Sequence, residues 1–289
     1  MRLSATAADF APEVARTLAS PTAGERGEVD AAGARWPTLA WGDPAAPPVL
    51  LVHGVTSNAG IWWRVAPAIA AAGRHVVAVD MPGHGRTAPA ARSHLFLDTA
   101  TELAGFVRVA GLRVAELAVV GHSWGGMVSA HLPAAGLAPR TLVLLDPPSL
   151  TLERLRALTE SPTERDYATV EESTAAVRTA NPTWSDGDVE AKAIALTEFN
   201  PQLVLDVLLK NGDWDAGMGA LRHPDAAASE AWLIRGEWDF GGFIPDSRVA
   251  RIEQQLGADH VITIEGAPHS PQRTHPEATV LAILHALGA

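Results

Sequence analysis

Apolar residues in this chain fall into two rhythms that alternate. Short, mostly apolar runs, several of them rich in valine, occur at 48–53, 75–80, 117–120, 141–145, 231–235 and 260–264. Runs this short, bounded by glycine, proline or polar residues, read as strands buried on both faces. Helical spacing fills the intervals, at 61–72, 97–109, 127–134, 247–256 and 276–287. Strand, helix, strand at such intervals predicts an α/β protein with a mostly parallel, doubly wound sheet covered on both faces. Residues 27–41 read as a hairpin of edge strands. Residues 1–24, with a short helix at 5–18, read as an extension lying on the surface.

The rhythm breaks after Asp146-Pro147-Pro148. From 150 to 211 only helical patterns are found, at 150–158, 167–178, 189–199 and 202–209. That is too long for a connecting loop. It is expected to form an all-helical cap, residues 149–224, inserted between the sixth and seventh core strands and lying over the C-terminal edge of the sheet. The core is then 25–148 together with 225–289.

Composition narrows the function classes. The chain has 289 residues, 47% hydrophobic and 19% charged, and a net charge of −11. The acidic residues are scattered, which argues against a nucleic-acid partner. No apolar run reaches membrane-spanning length, and 1–10 has no continuous apolar stretch of the secretory type. Cysteine is absent, so disulfides, thiol nucleophiles and thiolate metal sites are excluded. A cytoplasmic protein acting on a small-molecule substrate is the expectation. Arginine greatly outnumbers lysine, and nothing in the sequence says why.

The chemistry centres on Leu117-Ala-Val-Val-Gly-His-Ser-Trp-Gly-Gly126. A buried strand runs into a serine flanked two positions either side by Gly121 and Gly125, and a helix follows. A strand that turns at once into a helix strains the residue at its apex, and small neighbours let the two segments pass closely. Ser123 is thereby exposed at a helix N-terminus, whose N–H groups favour an anion formed by attack on a carbonyl.

In these features, from about residue 41 to the C-terminus, the chain resembles the α/β-hydrolase superfamily, in particular its serine esterases with a helical cap. Serine needs a base, and of eleven histidines His269, in Glu265-Gly-Ala-Pro-His-Ser-Pro271, lies just beyond the last strand on the same sheet edge as Ser123. The family places its histidine there too. Attack needs a neutral imidazole, so turnover is expected to rise with pH and then level off. The acid that orients the imidazole is assigned to Asp239, in Arg235-Gly-Glu-Trp-Asp239, which matches the family's usual placement after a strand. Asp146 is the competitor, because some relatives carry the acid there, although Pro147 and Pro148 mark it as the start of the turn into the cap. The resemblance assigns the oxyanion-binding N–H groups to Val55, in His53-Gly54-Val55, and to Trp124.

Other motifs carry plainer readings. His53 and His122 are expected to make structural hydrogen bonds or line a pocket, and Asp80-Met-Pro-Gly-His-Gly85 is a tight turn. The Trp124 side chain is expected to wall the acyl pocket. Trp62, Trp63, Trp184, Trp214 and Trp238 read first as packing between cap and core, alternatively as an aromatic-lined site. The sum is a hydrolase of carboxylic esters that needs neither metal nor cofactor. A lactonase, a C–C bond hydrolase, a cofactor-free peroxidase-like activity and a non-catalytic binder of small molecules stay open.

Overall fold

A computed structural model describes residues 1–87, 92–160 and 165–289. The aliphatic runs form the parallel centre of a sheet. These are β4 (Pro48–Val52), β5 (His75–Val79), β6 (Ala118–His122), β7 (Thr141–Leu145), β10 (Glu230–Arg235) and β11 (Val261–Ile264). The hairpin is present as β2 (Glu25–Ala31) and β3 (Ala34–Trp41), antiparallel to each other, with β3 antiparallel to β5. Among the described residues the sheet has nine strands, with β1 (Arg2–Leu3) at one edge, in the order β1-β11-β10-β7-β6-β4-β5-β3-β2.

The period of two along each strand divides the core. Leu50, Val52, Val77, Val79 and Val119 face one layer, with α3 (Phe96–Val109) and α4 (Trp124–Ala130). Their neighbours Val49, Leu51, Val76, Ala78 and Val120 face the other, with α1 (Pro12–Ala19), α2 (Val65–Ala71) and α11 (Pro276–Ala286). Each fully buried aliphatic side chain contributes about 1.5–3 kcal/mol of transfer free energy. Strands apolar on both faces are therefore stable only between two helical layers.

The N-terminus departs from the sequence reading. Arg2–Leu3 is a strand, β1, paired parallel to β11 at the sheet edge, and Val14 and Leu18 of α1 are buried in the second layer. Alternation cannot reveal a two-residue strand, so the sequence reads residues 1–24 as an extension lying on the surface, without this pairing.

Between β7 and β10 the chain forms β8 (Ser149–Leu150), α5 (Leu152–Leu158), α6 (Val170–Ala180), α7 (Asp186–Ala195), α8 (Pro201–Lys210) and β9 (Trp214–Asp215). Thr151, Thr169, Ser185 and Asn200 cap the four helices with side-chain hydrogen bonds, which fixes each start. α5 packs on α8, and α6 on α7. After β10 come α9 (Asp246–Leu256) and, beyond β11, α10 (Pro271–Thr274). Among the described residues no helix is long and apolar enough to cross a membrane.

Candidate active site

Parallel strands deliver their C-terminal ends to one edge, and four of them supply this site: β4 ends before His53, β6 before Ser123, β7 before Asp146, and β11 leads to His269. Ser123 has φ 55° and ψ −122°, a backbone conformation that costs a non-glycine residue about 1–3 kcal/mol. The close passage on either side is real. A Cβ at Gly121 would lie 2.3 Å from the Gly125 carbonyl oxygen, and one at Gly125 would lie 2.4 Å from that of His53.

Ser123 Oγ lies 2.9 Å from His269 Nε2, and His269 Nδ1 lies 2.7 Å from Asp146 Oδ2. Asp146 is completely buried, at φ 42°, and its own N–H donates to the Ile234 carbonyl. Two further backbone donors hold its carboxylate: Gly236 N–H on Oδ1 at 3.1 Å and Phe243 N–H on Oδ2 at 3.0 Å.

The acid favoured from sequence is therefore corrected. Asp239 lies on an exposed single turn, Trp238–Phe240, and the carboxylate against the imidazole is that of Asp146. The loop after β10 contributes to this site, but with peptide N–H groups and not with a side chain. Pro147 and Pro148 do begin the passage toward α5, yet Asp146 itself is still turned inward toward His269.

Phe243, missed in the sequence, stacks on His269 with ring centroids 3.8 Å apart and planes 16° apart. One residue thus touches the imidazole face with its side chain and the carboxylate with its backbone. His122 donates from Nε2 to the His269 carbonyl at 2.8 Å, tying the histidine loop to the Ser123 turn. His53 donates from Nδ1 to the Gly54 carbonyl and accepts from Met81 N–H. Burial pushes the pKa of His53 down to about 4 and those of His84 and His122 well below their ordinary value, so these rings are neutral scaffolding. Asp80 accepts from Ala59 N–H, and burial raises its pKa to about 6.

The 54–55 turn comes close to the serine, since a Cβ at Gly54 would lie 3.0 Å from Ser123 Cβ. Val55 lines the same cavity as Ser123. The N–H of Trp124 is the first of α4, where no acceptor exists within the helix. The Trp124 side chain does not behave as expected. It is fully buried against His84 and His53 and is not among the described residues lining the cavity. Trp184 and Trp214 do line it, Trp62 is buried in the core, and Trp238 is exposed.

The cavity encloses about 580 Å³ above Ser123 and His269. Leu155 and Leu158 of α5 and Val204 and Leu208 of α8 form an apolar wall. Polar groups that line it include Lys192 of α7 and Arg273 of α10, whose guanidinium lies 4.5 Å from the centroid of the Trp184 ring. Among the described residues no cluster of metal-ligating side chains is found. Chemically, a hydroxyl beside an imidazole whose far nitrogen is held by a carboxylate can deliver an alkoxide-like oxygen to a bound carbonyl.

Known proteins share this framework. The alpha/beta hydrolase fold family matches residues 47–183. Lipase LipV of Mycobacterium tuberculosis is 28% identical over 251 residues, which cover 83% of this chain and 93% of that protein. The acetyltransferase component of the acetoin-cleaving system of Pseudomonas putida is 36% identical over 138 residues, and there the chain spans only 35% of the relative's length. The crystal structure of E-2-(acetamidomethylene)succinate hydrolase superposes with a TM-score of 0.76 at 20% identity, covering 92% of this chain and all of the other. Similarity of fold along 92% of the chain, together with the alpha/beta hydrolase fold family match over residues 47–183, shows that the protein has the α/β-hydrolase fold.

Proposed function

We propose that the protein is a serine hydrolase cleaving a carboxylic ester of a small, apolar or aromatic substrate through an acyl-enzyme. The observation that carries this reading is the unbroken hydrogen-bonded line from Ser123 through His269 to Asp146 at the base of a cavity. His269 takes the Ser123 proton as Oγ attacks the ester carbonyl, and Asp146 holds the tautomer and balances the imidazolium. The carbonyl oxygen becomes an anion against the N–H groups of Val55 and Trp124. Collapse expels the alcohol, which receives the proton from His269. A water activated by the same imidazole then releases the acid.

The cavity supports the substrate class. Its volume suits a drug-sized or smaller molecule, and its aliphatic wall on α5 and α8 is complementary to an acyl chain or ring. The name of the lipase relative is consistent with ester chemistry. A panel of p-nitrophenyl esters from acetate to decanoate, together with a phenylacetate, tests the reading. Release of nitrophenolate by the wild-type protein, lost in Ser123→Ala, is expected. Folded wild-type protein that releases none contradicts it.

A further inference from the structure

Thr56 sits directly after Val55 with φ 58°, in the left-handed region that a β-branched residue rarely enters. Such a conformation persists only where its surroundings impose it. The surroundings here are specific. Lys192 Nζ donates to the Thr56 carbonyl at 3.1 Å and to Thr56 Oγ1 at 2.9 Å, and Thr56 Oγ1 in turn donates to the Val55 carbonyl at 2.6 Å. Both carbonyls flanking the Thr56 residue are thus engaged by this one cluster.

Lys192 comes from α7, far away in sequence. The chain has two lysines, Lys192 and Lys210. Lys210 is largely exposed and pairs with Asp206 one turn back on the surface of α8. Lys192 is only 7% exposed, on the buried side of α7 with Val189 and Ala193. A buried ammonium is retained only where acceptors meet its N–H groups, and Thr56 supplies two of them. A second buried polar side chain of α7 lands on the segment just after Thr56. Asp188 accepts from Trp63 Nε1 at 3.0 Å and from Arg64 at 3.2 Å. Just beyond α7, Glu198 accepts from Asn58 Nδ2. The Lys192 charge also helps to keep His53, His84 and His122 unprotonated, so its field reaches the edge of the sheet where the site is built.

We infer that Lys192 is a positioning residue for the oxyanion-binding amide of Val55: its ammonium, carried by α7, pins the strained Val55-Thr56 turn so that the Val55 N–H is aimed before substrate arrives. The inference rests on the hydrolase reading above. It makes seating of α7 a condition for a competent oxyanion site, because the clamp crosses from that helix to the loop after β4.

The test uses the full-length protein with p-nitrophenyl butyrate as substrate and butylboronic acid as probe, because the boronate forms a tetrahedral adduct whose oxygen needs the same donors. Removing one oxyanion donor outright typically costs about 100- to 1000-fold in turnover. For Lys192→Met, which leaves the donor present but loosely aimed, we expect kcat to fall about 10- to 100-fold, KM to stay within about threefold, and boronate affinity to fall by the same factor as kcat. Lys192→Arg is expected to recover part of the loss. Thr56→Ala, which deletes the hydroxyl and keeps the carbonyl, is expected to lose less than Lys192→Met, and the double variant to lose less than the product of the two.

A kcat of folded Lys192→Met within twofold of wild type overturns the inference, and so does a lower kcat with unchanged boronate affinity. If Lys192→Met does not fold, Thr56→Ala decides by the same pair of readouts. Wild-type protein inert toward the ester contradicts the hydrolase reading itself, whereas active wild type with indifferent variants contradicts only the role of Lys192.

Discussion

Asp146 Oδ2 lies 2.7 Å from His269 Nδ1, and Asp146 is held there by the backbone N–H groups of Gly236 and Phe243. The carboxylate is therefore fixed from the strand next door, and its removal cannot be covered by Asp239 on its exposed turn. Asp146→Asn is expected to lower kcat for an activated ester about 10³- to 10⁴-fold by disturbing the imidazole tautomer. Asp239→Asn is expected to stay within about twofold. Steady-state kinetics of the two variants side by side check this, and the reverse ranking would return the acid to Asp239.

Phe243 covers one face of the imidazole. Aromatic stacking of this kind is worth about 0.5–1.5 kcal/mol, so Phe243→Leu is expected to reduce kcat by about 2- to 10-fold. The backbone N–H that reaches Asp146 survives the substitution, which separates the effect from loss of the acid. Comparing kcat for Leu and Tyr at this position shows whether the ring itself matters, Tyr being expected to retain near wild-type turnover.

The strained apex at Ser123 predicts a trade between stability and chemistry. Ser123→Gly relieves a conformation that costs about 1–3 kcal/mol, against about 0.5–1 kcal/mol of added chain entropy in the unfolded state. Inactive Ser123→Gly is expected to melt higher than wild type by an amount equivalent to about 1 kcal/mol. Thermal melts at neutral pH measure it, with Ser123→Ala as a reference that lacks the hydroxyl but keeps the strain.

Buried titrating groups set the acid limit of the fold. His53, His84 and His122 have pKa values depressed by burial, so the unfolded chain binds protons that the native rings refuse. Their contribution is intact above the ordinary histidine pKa of about 6.5. It is lost as pH falls toward the folded values, with a slope of up to about 1.4 kcal/mol per pH unit for each ring. Asp80 works the other way. Its pKa is raised to about 6, so its contribution is full below the ordinary value of 3.8 and disappears as pH rises through 6. Three rings outweigh one carboxyl, so the melting temperature is expected to drop between pH 7 and pH 5. Asp80→Asn removes the opposing group and should make that drop steeper. A melting temperature that rises on acidification contradicts this balance.

Much of the architecture was legible because the physics was local. Valine-rich runs such as Pro48–Val52 can be stable only between two layers, and Gly121 and Gly125 announce the tight turn around Ser123. The position of His269 followed from which edge of a parallel sheet receives the loops. The residues that escaped are those whose role is set across the sheet. Asp146 and Asp239 follow adjacent strands, and only the actual path of the chain after β10 shows that it offers N–H groups to Asp146 while turning Asp239 outward. Phe243 had no pattern to mark it. Lys192 left a trace, an isolated lysine on the apolar face of a helix in an arginine-rich chain, but its partner Thr56 lies 136 residues away. β1 was too short to carry any periodicity.

Intact-protein and peptide mass spectrometry after reaction with a fluorophosphonate probe tests most directly whether Ser123 is the nucleophile. One adduct per chain, on Ser123, is expected for wild type, with none on Ser123→Ala and much slower labelling of Asp146→Asn. A folded wild-type protein that takes up no probe, or takes it up on another residue, contradicts the account.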